Sequence, residues 1–387
     1  MNWTNESFQK YRLMAPGPVP LHPEVLKSLG QEMLHHRTHL FDQTLKKALQ
    51  NLKPVFQTEE PVYIVTGAGS AGMEASLINV LSPGDEVLSL VSGKFGERWA
   101  EMARVFGYKV HVLEVPWGEA VRPEDVESFL KNHGNIRAVI CQACETSTAV
   151  LHPIQKLGEI IAAHENTLFL VDGITAVAAT HLPMDEWKID ALVAGSQKAF
   201  MLPTGLSFVA FSKKALTFFE KATTPRYYLD LRKEKKANAN GETFFSSSVT
   251  LIRALDRALE IMLERGLAAW IAEIHQRADF TTHVARQLNL ALYSKSPSPS
   301  LTALQVPEGV DGQKWRQHLE SRYNITVMGG QDQLKGKILR VGHMGYITAE
   351  DLHAWAGAMF QSLRDFDVML PLTEDEFFVS TRQRLGL

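Results

Sequence analysis

The stretch Leu168-Phe-Leu-Val-Asp172-Gly-Ile-Thr175 and the later stretch Ala191-Leu-Val-Ala-Gly-Ser-Gln-Lys198 decide the fold. Each begins with a short apolar run, which predicts a buried strand, and each then reaches a charged residue at or just past the strand end. Similar runs alternate with helical patterns, and the further predicted strands cover residues 62–66, 86–91, 109–114, 136–141 and 207–211. This alternation predicts an α/β fold with a mostly parallel sheet and helices on both faces.

The later part of the chain is organised differently. A polar, basic segment at residues 225–241 predicts a solvated loop, and two long helical patterns follow it. A serine- and proline-rich segment at residues 294–300 is typical of a linker, and residues 301–365 alternate strand and helix patterns. We therefore predict three parts: an N-terminal arm (residues 1–20), a large domain (residues 21–292) and a small C-terminal α+β domain (residues 293–387).

The composition narrows the class of protein. Hydrophobic residues make up 45% and charged residues 21%, with 40 basic against 43 acidic side chains, so we expect neither a nucleic acid nor an anionic membrane as partner. No apolar run is long enough to span a membrane, and the start of the chain lacks the pattern of a secretory signal. Only two cysteines occur, Cys141 and Cys144, which favours a reducing, cytoplasmic location.

A glycine-rich loop, Gly67-Ala-Gly69-Ser-Ala-Gly72, lies between a predicted strand and a predicted helix. It matches the G-x-G-x-x-G fingerprint of dinucleotide-binding proteins, so a nicotinamide-dependent oxidoreductase is a rival interpretation. That fingerprint also needs an acidic residue after the second strand, and Ser89-Leu-Val-Ser-Gly93 provides none. The loop alone is equally consistent with a phosphate-binding helix N-terminus and with a tight turn that binds nothing.

Lys198 and Asp172 are the two residues that best indicate a chemical function. A lysine in an apolar neighbourhood loses its proton more easily than a surface lysine and can form an imine with an aldehyde. A carboxylate at the end of an apolar strand needs a partner, and a protonated pyridine nitrogen is one, although a helix cap or a structural ion pair would also serve. Pyridoxal 5′-phosphate (PLP) is a single cofactor that would satisfy both residues.

The motifs around these two residues resemble those of the class V PLP-dependent aminotransferases, in the alanine–glyoxylate and serine–pyruvate aminotransferase branch. The matching segments occur in one consistent order through most of the chain: Ala15-Pro-Gly-Pro18, Gly67–Glu74, Gly93-Lys-Phe-Gly-Glu97, Glu145-Thr-Ser-Thr148, Val171-Asp-Gly-Ile-Thr175, Gly195-Ser-Gln-Lys-Ala199 and Leu339-Arg-Val-Gly342. The resemblance implies the type I PLP-dependent transferase fold, in a homodimer whose subunits share each active site.

The resemblance also implies residue roles. Lys198 would hold the cofactor as a Schiff base and then move the substrate proton. The cofactor-binding residues would be Ala68, Gly69, Ser70, Phe95, Thr146, Asp172, Ile174, Ser196 and Gln197, with Thr243 and Ser246 contributed by the neighbouring subunit. Arg340 and Gly17 would bind the substrate. No metal is expected.

The expected reaction is transfer of an amino group from alanine or serine to glyoxylate or pyruvate. Another class V activity remains open, either an aminotransferase with a different amine donor or a lyase, as do the oxidoreductase and a catalytically silent interaction protein. Ala68 stands where the family often has a hydroxyl residue, and the segment Thr243-Phe-Phe-Ser-Ser-Ser248 departs from the family's phosphate loop. Cys141-Gln-Ala-Cys144 is better explained by small core residues than by a redox pair.

Overall fold

A seven-stranded sheet forms the centre of the protein in a computed structural model that describes residues 3–387. The strands of the structure are β1 (Arg12–Leu13), β2 (Val62–Thr66), β3 (Glu86–Val91), β4 (Lys109–Glu114), β5 (Ile136–Gln142), β6 (Cys144–Glu145), β7 (Val150–Leu151), β8 (Leu168–Asp172), β9 (Ala191–Gly195), β10 (Leu206–Phe211), β11 (Leu301–Gln305), β12 (Ile325–Thr326), β13 (Met328–Gly329) and β14 (Ile338–Gly342). The central sheet has the order β2-β10-β9-β8-β5-β3-β4, and only β10 runs antiparallel to its neighbours.

Helices follow most of these strands. They are α1 (Pro23–Leu29), α2 (His39–Phe56), α3 (Gly69–Ile78), α4 (Lys94–Val105), α5 (Pro123–Asn132), α6 (Ile154–Ala162), α7 (Lys213–Leu216), α8 (Leu231–Ala239), α9 (Val249–Arg265), α10 (Leu267–Gln287), α11 (Gly312–Tyr323), α12 (Ala349–Asp365) and α13 (Glu374–Leu385). None of the helices within residues 3–387 has the length and apolar character needed to cross a bilayer.

Both faces of the central sheet are covered, as the near-continuous apolar runs predicted. In β8, Phe169 and Val171 contribute to one hydrophobic core, whereas Leu168 and Leu170 contribute to the core on the opposite face. Helices α2, α5, α6 and α9 pack on the first face, and α3, α4 and α7 pack on the second. The α/β fold prediction is confirmed, and most of the predicted strand limits agree with the structure to within one residue.

A second, smaller sheet of β11, β14 and β13 lies near the C-terminus. It shares a separate hydrophobic core with α11, α12 and the C-terminal half of α10. The N-terminal segment packs on the same core, because Trp3 and Phe8 are buried there and β1 pairs with β12. The chain therefore crosses from one end of the molecule to the other before it enters the central sheet.

The prediction of a loop over the whole of residues 225–241 was wrong, because α8 lies within it. Leu231 is the only residue of this helix that is buried, so the helix has no apolar stripe that could reveal it. A local cap stabilises it, since the Asp230 carboxylate accepts the backbone N–H of Arg232 at 3.2 Å. The polar, basic composition of the segment favoured a loop, and a cap that involves only two residues is too small a signal to indicate a helix.

The segment at residues 294–300 connects the two sheets and is held against the hairpin of β6 and β7. The N–H of Leu151 donates to the carbonyl of Ser296 at 2.8 Å, and the N–H of Ser298 donates to the carbonyl of Ala149 at 2.9 Å. This hairpin follows the carboxyl end of β5, so the connection ties the smaller sheet to the edge at which the polar residues gather.

Candidate active site

Lys198 lies three residues past the end of β9, in a turn at the carboxyl edge of the central sheet. Its side chain is 9% exposed, and Nζ donates to the carbonyl oxygen of Pro16 at 2.8 Å. The pKa of Lys198 is lowered to about 8, chiefly by burial and also by the Arg340 charge, against the opposing effects of Cys144 and Asp172. The amine is therefore neutral and nucleophilic in a usable fraction of molecules near neutral pH.

Asp172 is the last residue of β8, the strand next to β9. Its carboxylate is buried, and Oδ1 accepts the N–H of Ile174 at 2.9 Å, which leaves Oδ2 for another donor. Burial raises the pKa of Asp172 to about 7, the Glu145 charge adds to the increase, and the Ile174 N–H and the Lys198 charge oppose it. The two residues are close enough for each charge to change the pKa of the other.

The glycine-rich loop leads from β2 into α3, which begins at Gly69. Ala68 is the N-cap residue and has no side chain that could cap the helix, so the first amide groups are left for an anion. A Cβ at Gly69 would lie 2.6 Å from Cδ1 of Ile174, so a side chain at this position would displace Ile174. Ser70 is half-buried in the first turn.

Phe95 and Thr146 reach the same edge from two other elements. Phe95 is half-buried in the first turn of α4, and the guanidinium of Arg98 lies 4.9 Å from the centre of its ring. Thr146 follows β6, is buried, and shares a 2.7 Å hydrogen bond between its hydroxyl and that of Thr175. Phe95 thus follows β3, and Thr146 follows β5 by way of the short strand β6.

Arg340 lies in the middle of β14, in the smaller sheet, and is 6% exposed. Its Nε donates to the carbonyl of Gly329 at 3.0 Å and its Nη1 donates to the carbonyl of Thr146 at 3.0 Å. Burial lowers the pKa of Arg340 to about 10, and the Glu145 charge opposes that decrease. A guanidinium held at two of its nitrogens is fixed in orientation and keeps donors for a carboxylate.

The remaining predicted residues have distinct surroundings. Ser196 is buried and its hydroxyl already donates to the carbonyl of Pro203 at 2.7 Å, whereas the Gln197 side-chain oxygen is buried and finds no hydrogen-bond partner within residues 3–387. Thr243 is buried and donates to the carbonyl of Phe245 at 2.7 Å, and Ser246 is exposed. The Thr243 and Ser246 side chains border a small cavity beside β2, the strand that leads into the glycine-rich loop.

Gly17 lies against the lysine side chain. A Cβ at this position would overlap the outer carbons and Nζ of Lys198, and the φ of +139° is one that other residues rarely adopt. Pro16 and Gly17 thus close one side of the cleft around the amine. The sequence placed Gly17 in a matching motif, but the contact with Lys198 joins residues far apart in the chain and has no local signal.

Comparison with known proteins shows the family of this chain. A family model described as Aminotransferase class-V matches residues 23–354. The chain belongs to the class V aminotransferases. These enzymes are PLP-dependent, so the fold class, the enzyme class and the cofactor predicted from the sequence are all confirmed.

Relatives of this class V aminotransferase carry several names. A Synechococcus protein named soluble hydrogenase, small subunit, is 39% identical over 355 residues, which cover 90% of this chain and 92% of that protein. L-aspartate–glyoxylate aminotransferase from Paracoccus denitrificans is 34% identical over 368 residues, or 93% of this chain and 92% of that protein. The solved alanine–glyoxylate aminotransferase from Nostoc sp. superimposes with a TM-score of 0.88 at 30% identity and covers 92% of this chain and 96% of that one.

The residues present fit PLP. The uncapped start of α3 offers amide groups to a phosphate, the buried Lys198 amine can bond an aldehyde, and the free oxygen of Asp172 can accept from a ring nitrogen. The half-buried ring of Phe95 and the side chain of Ile174 could contact the two faces of a flat ring. These assignments use residues that the sequence predicted.

Two residues of the site were missed by the sequence predictions. Pro16 accepts from Lys198 through its carbonyl, and a backbone carbonyl leaves no trace in the choice of residue. Glu145 was recognised as part of a matching motif and was given no role. It is fully buried and accepts hydrogen bonds from α4, the helix that carries Phe95.

The buried carboxyl of Asp172 predicts a specific pH dependence in the cofactor-free protein. Its folded-state pKa is about 7, against about 3.9 in the unfolded chain. Between these two pH values the folded state therefore holds one more proton than the unfolded chain. The free energy of unfolding that this proton contributes is lost as the pH rises from about 4 to about 7. We expect Asp172→Asn to exceed the wild type in unfolding free energy by about 2–4 kcal/mol at about pH 8, and by much less at about pH 5.

Urea unfolding of both proteins across this pH range measures the difference. Asp375→Asn is the matched control, because Asp375 is exposed on α13, and it should give a difference that hardly changes with pH. A stability difference for Asp172→Asn that stays constant from about pH 5 to about pH 8 would contradict the burial of a titrating carboxyl group.

Proposed function

We propose that this class V aminotransferase transfers the amino group of alanine or serine to glyoxylate or pyruvate. The proposal rests mainly on Arg340, a buried arginine that has free donors. Its charge lowers the pKa of the Lys198 amine. Such a residue is suited to one α-carboxylate. The name of the Nostoc relative includes alanine as the amino donor, which supports a small donor with one carboxylate. The names of the Paracoccus and Nostoc relatives share glyoxylate as acceptor.

The proposed mechanism assigns each step to a residue. Bound PLP supplies an aldehyde that condenses with amines and a ring that stores an electron pair. Lys198 would hold the cofactor through Nζ until the donor amine displaces it, and the lowered pKa leaves part of the lysine population deprotonated. The freed amine would then take the proton from Cα and return a proton to the adjacent carbon. Asp172 would keep a proton on the ring nitrogen, and Arg340 would hold the donor carboxylate still.

We also propose that the enzyme acts in the cytoplasm as a homodimer with shared active sites. The exposed aromatic side chains of Tyr227, Tyr228 and Phe244 lie beside the segment that carries Thr243 and Ser246. A contiguous apolar surface of this kind is typical of an interface, and a second subunit could bring Thr243 and Ser246 to a phosphate. Two unpaired, buried cysteines are consistent with a reducing compartment.

The variant Arg340→Ala tests the proposed carboxylate-binding site. Removing the guanidinium should raise the half-saturating concentration of carboxylate substrates by at least about 30-fold, which corresponds to a loss of about 2 kcal/mol. The visible absorbance of the bound cofactor should be kept, because the hydrogen bonds of Arg340 go to Gly329 and Thr146 and not to Lys198 or Asp172. Absorbance titration with alanine measures both properties. Arg322→Ala, which removes an exposed arginine from α11, should behave as the wild type, and an Arg340→Ala variant with unchanged substrate affinity would refute the assignment.

A panel of single half-reactions tests the choice of substrates. Alanine, serine and aspartate are each mixed with the loaded enzyme without an acceptor, and the loss of the visible cofactor band is followed. We expect alanine or serine to react at least about tenfold faster than aspartate, because Arg340 is assigned to one carboxylate and the second carboxylate of aspartate would also have to leave water. Glyoxylate or pyruvate should then restore the band. A faster reaction with aspartate, or none with any of the three donors, would overturn the proposed substrates.

A further inference from the structure

A buried glutamate lies between the groups assigned to the ring and to the carboxylate. Glu145, the last residue of β6, is 0% exposed. One side-chain oxygen, Oε1, accepts from the N–H of Ser147 at 3.0 Å and from its hydroxyl at 2.6 Å. The other, Oε2, accepts from the N–H of Phe95 at 3.1 Å and from that of Gly96 at 3.0 Å. Three of the four partners are backbone N–H groups, which can only donate, so these contacts favour the ionised carboxylate, whereas burial raises the pKa of Glu145.

The carboxylate of Glu145 caps the start of α4. The N-cap residue of this helix is Gly93, which has no side chain to accept the first N–H groups. Glu145 supplies that acceptor from a different strand and contacts the second and third residues of the helix, where the helix dipole favours a negative charge. The backbone position of Phe95 is therefore fixed by Glu145 and not by a residue of its own segment.

The same carboxylate balances the charge of Arg340. Both side-chain hydrogen bonds of Arg340 go to neutral carbonyls, one of them that of Thr146, the residue next to Glu145. Glu145 and Arg340 are thus linked through the carbonyl of Thr146, and the charge of Glu145 also raises the pKa of the guanidinium. A buried cation is costly without an anion in reach, so the negative charge of Glu145 favours Arg340 at this position.

We propose that Glu145 is a positioning residue that fixes the ring-stacking Phe95 and the carboxylate-binding Arg340 relative to each other. The inference rests on the proposed function, because Phe95 and Arg340 have their roles only there. It extends that function, since one buried anion would set both the cofactor contact on α4 and the substrate contact on β14. A cap with a purely structural role would affect only the start of α4.

The variant Glu145→Gln keeps the shape and removes the charge. Its amide nitrogen would face N–H donors, so in the cofactor-free protein hydrogen exchange of the amides at residues 95 and 96 should become at least about tenfold faster. In the loaded protein, cofactor dissociation should become about tenfold faster, and the half-saturating concentration of alanine should rise about tenfold. Glu101→Gln is the matched control, because Glu101 is exposed on the same helix, away from its start, and it should leave all three quantities at wild-type values.

Two further variants keep the test decisive if Glu145→Gln folds poorly. Ser147→Ala removes two hydrogen bonds of the Ser147 hydroxyl, one donated to Glu145 and one accepted from the N–H of Lys94. The variant should shift the same three quantities in the same direction by a smaller factor. In a double-mutant cycle, the effect of Phe95→Ala on cofactor dissociation should shrink when Ser147→Ala or Glu145→Gln is already present.

The outcomes separate this inference from the proposed function. Faster amide exchange together with weaker alanine binding supports the inference. Faster exchange with unchanged cofactor dissociation and alanine binding would overturn it and leave Glu145 as a helix cap. Wild-type values for all three quantities in both Glu145→Gln and Ser147→Ala would also overturn it. If wild-type protein binds PLP but processes no amino donor, the proposed function fails, while amide exchange still reports on the cap.

Discussion

The burial of an amine and a carboxylate in one cleft is the constraint on which the whole site depends. Asp172 ends β8 and Lys198 lies three residues past the neighbouring β9, and burial disfavours the charged form of each: the pKa of the lysine falls to about 8 and that of the aspartate rises to about 7. A single molecule with an aldehyde at one position and a ring nitrogen at another relieves both costs. The cofactor-free cleft therefore holds two groups whose charged forms are disfavoured by burial, and binding of PLP would remove both costs.

The rest of the molecule keeps these groups in place through backbone contacts. The parallel strands bring four loops to one edge, and the start of α3 offers amide groups at the same edge. Arg340 joins the smaller sheet to this edge through the carbonyl of Thr146, and Pro16 reaches Lys198 from the N-terminal segment. A substrate carboxylate and a cofactor can thus be held by parts of the chain that belong to different hydrophobic cores.

Local pattern accounts for what could be predicted from the sequence. Strands β3 and β4 were placed to the residue, because apolar runs of limited length between turn residues have few other interpretations. Lys198 and Asp172 were predicted as site residues because each is a charged residue at or shortly after the end of such a run. Helix α8 was missed because it buries only Leu231, and the hydrogen bonds of Arg340 and Glu145 were missed because they join residues distant in sequence. Contacts of that kind follow from the tertiary fold and leave no periodic signal.

The most direct test of this account is to reduce the purified enzyme with borohydride and to map the modified peptide by mass spectrometry. Reduction makes the bond between the cofactor and its lysine permanent, so the mass of the cofactor stays with one residue. The account predicts that this residue is Lys198. Attachment to a different lysine, or a protein that carries PLP with no covalent bond to any lysine, would contradict it.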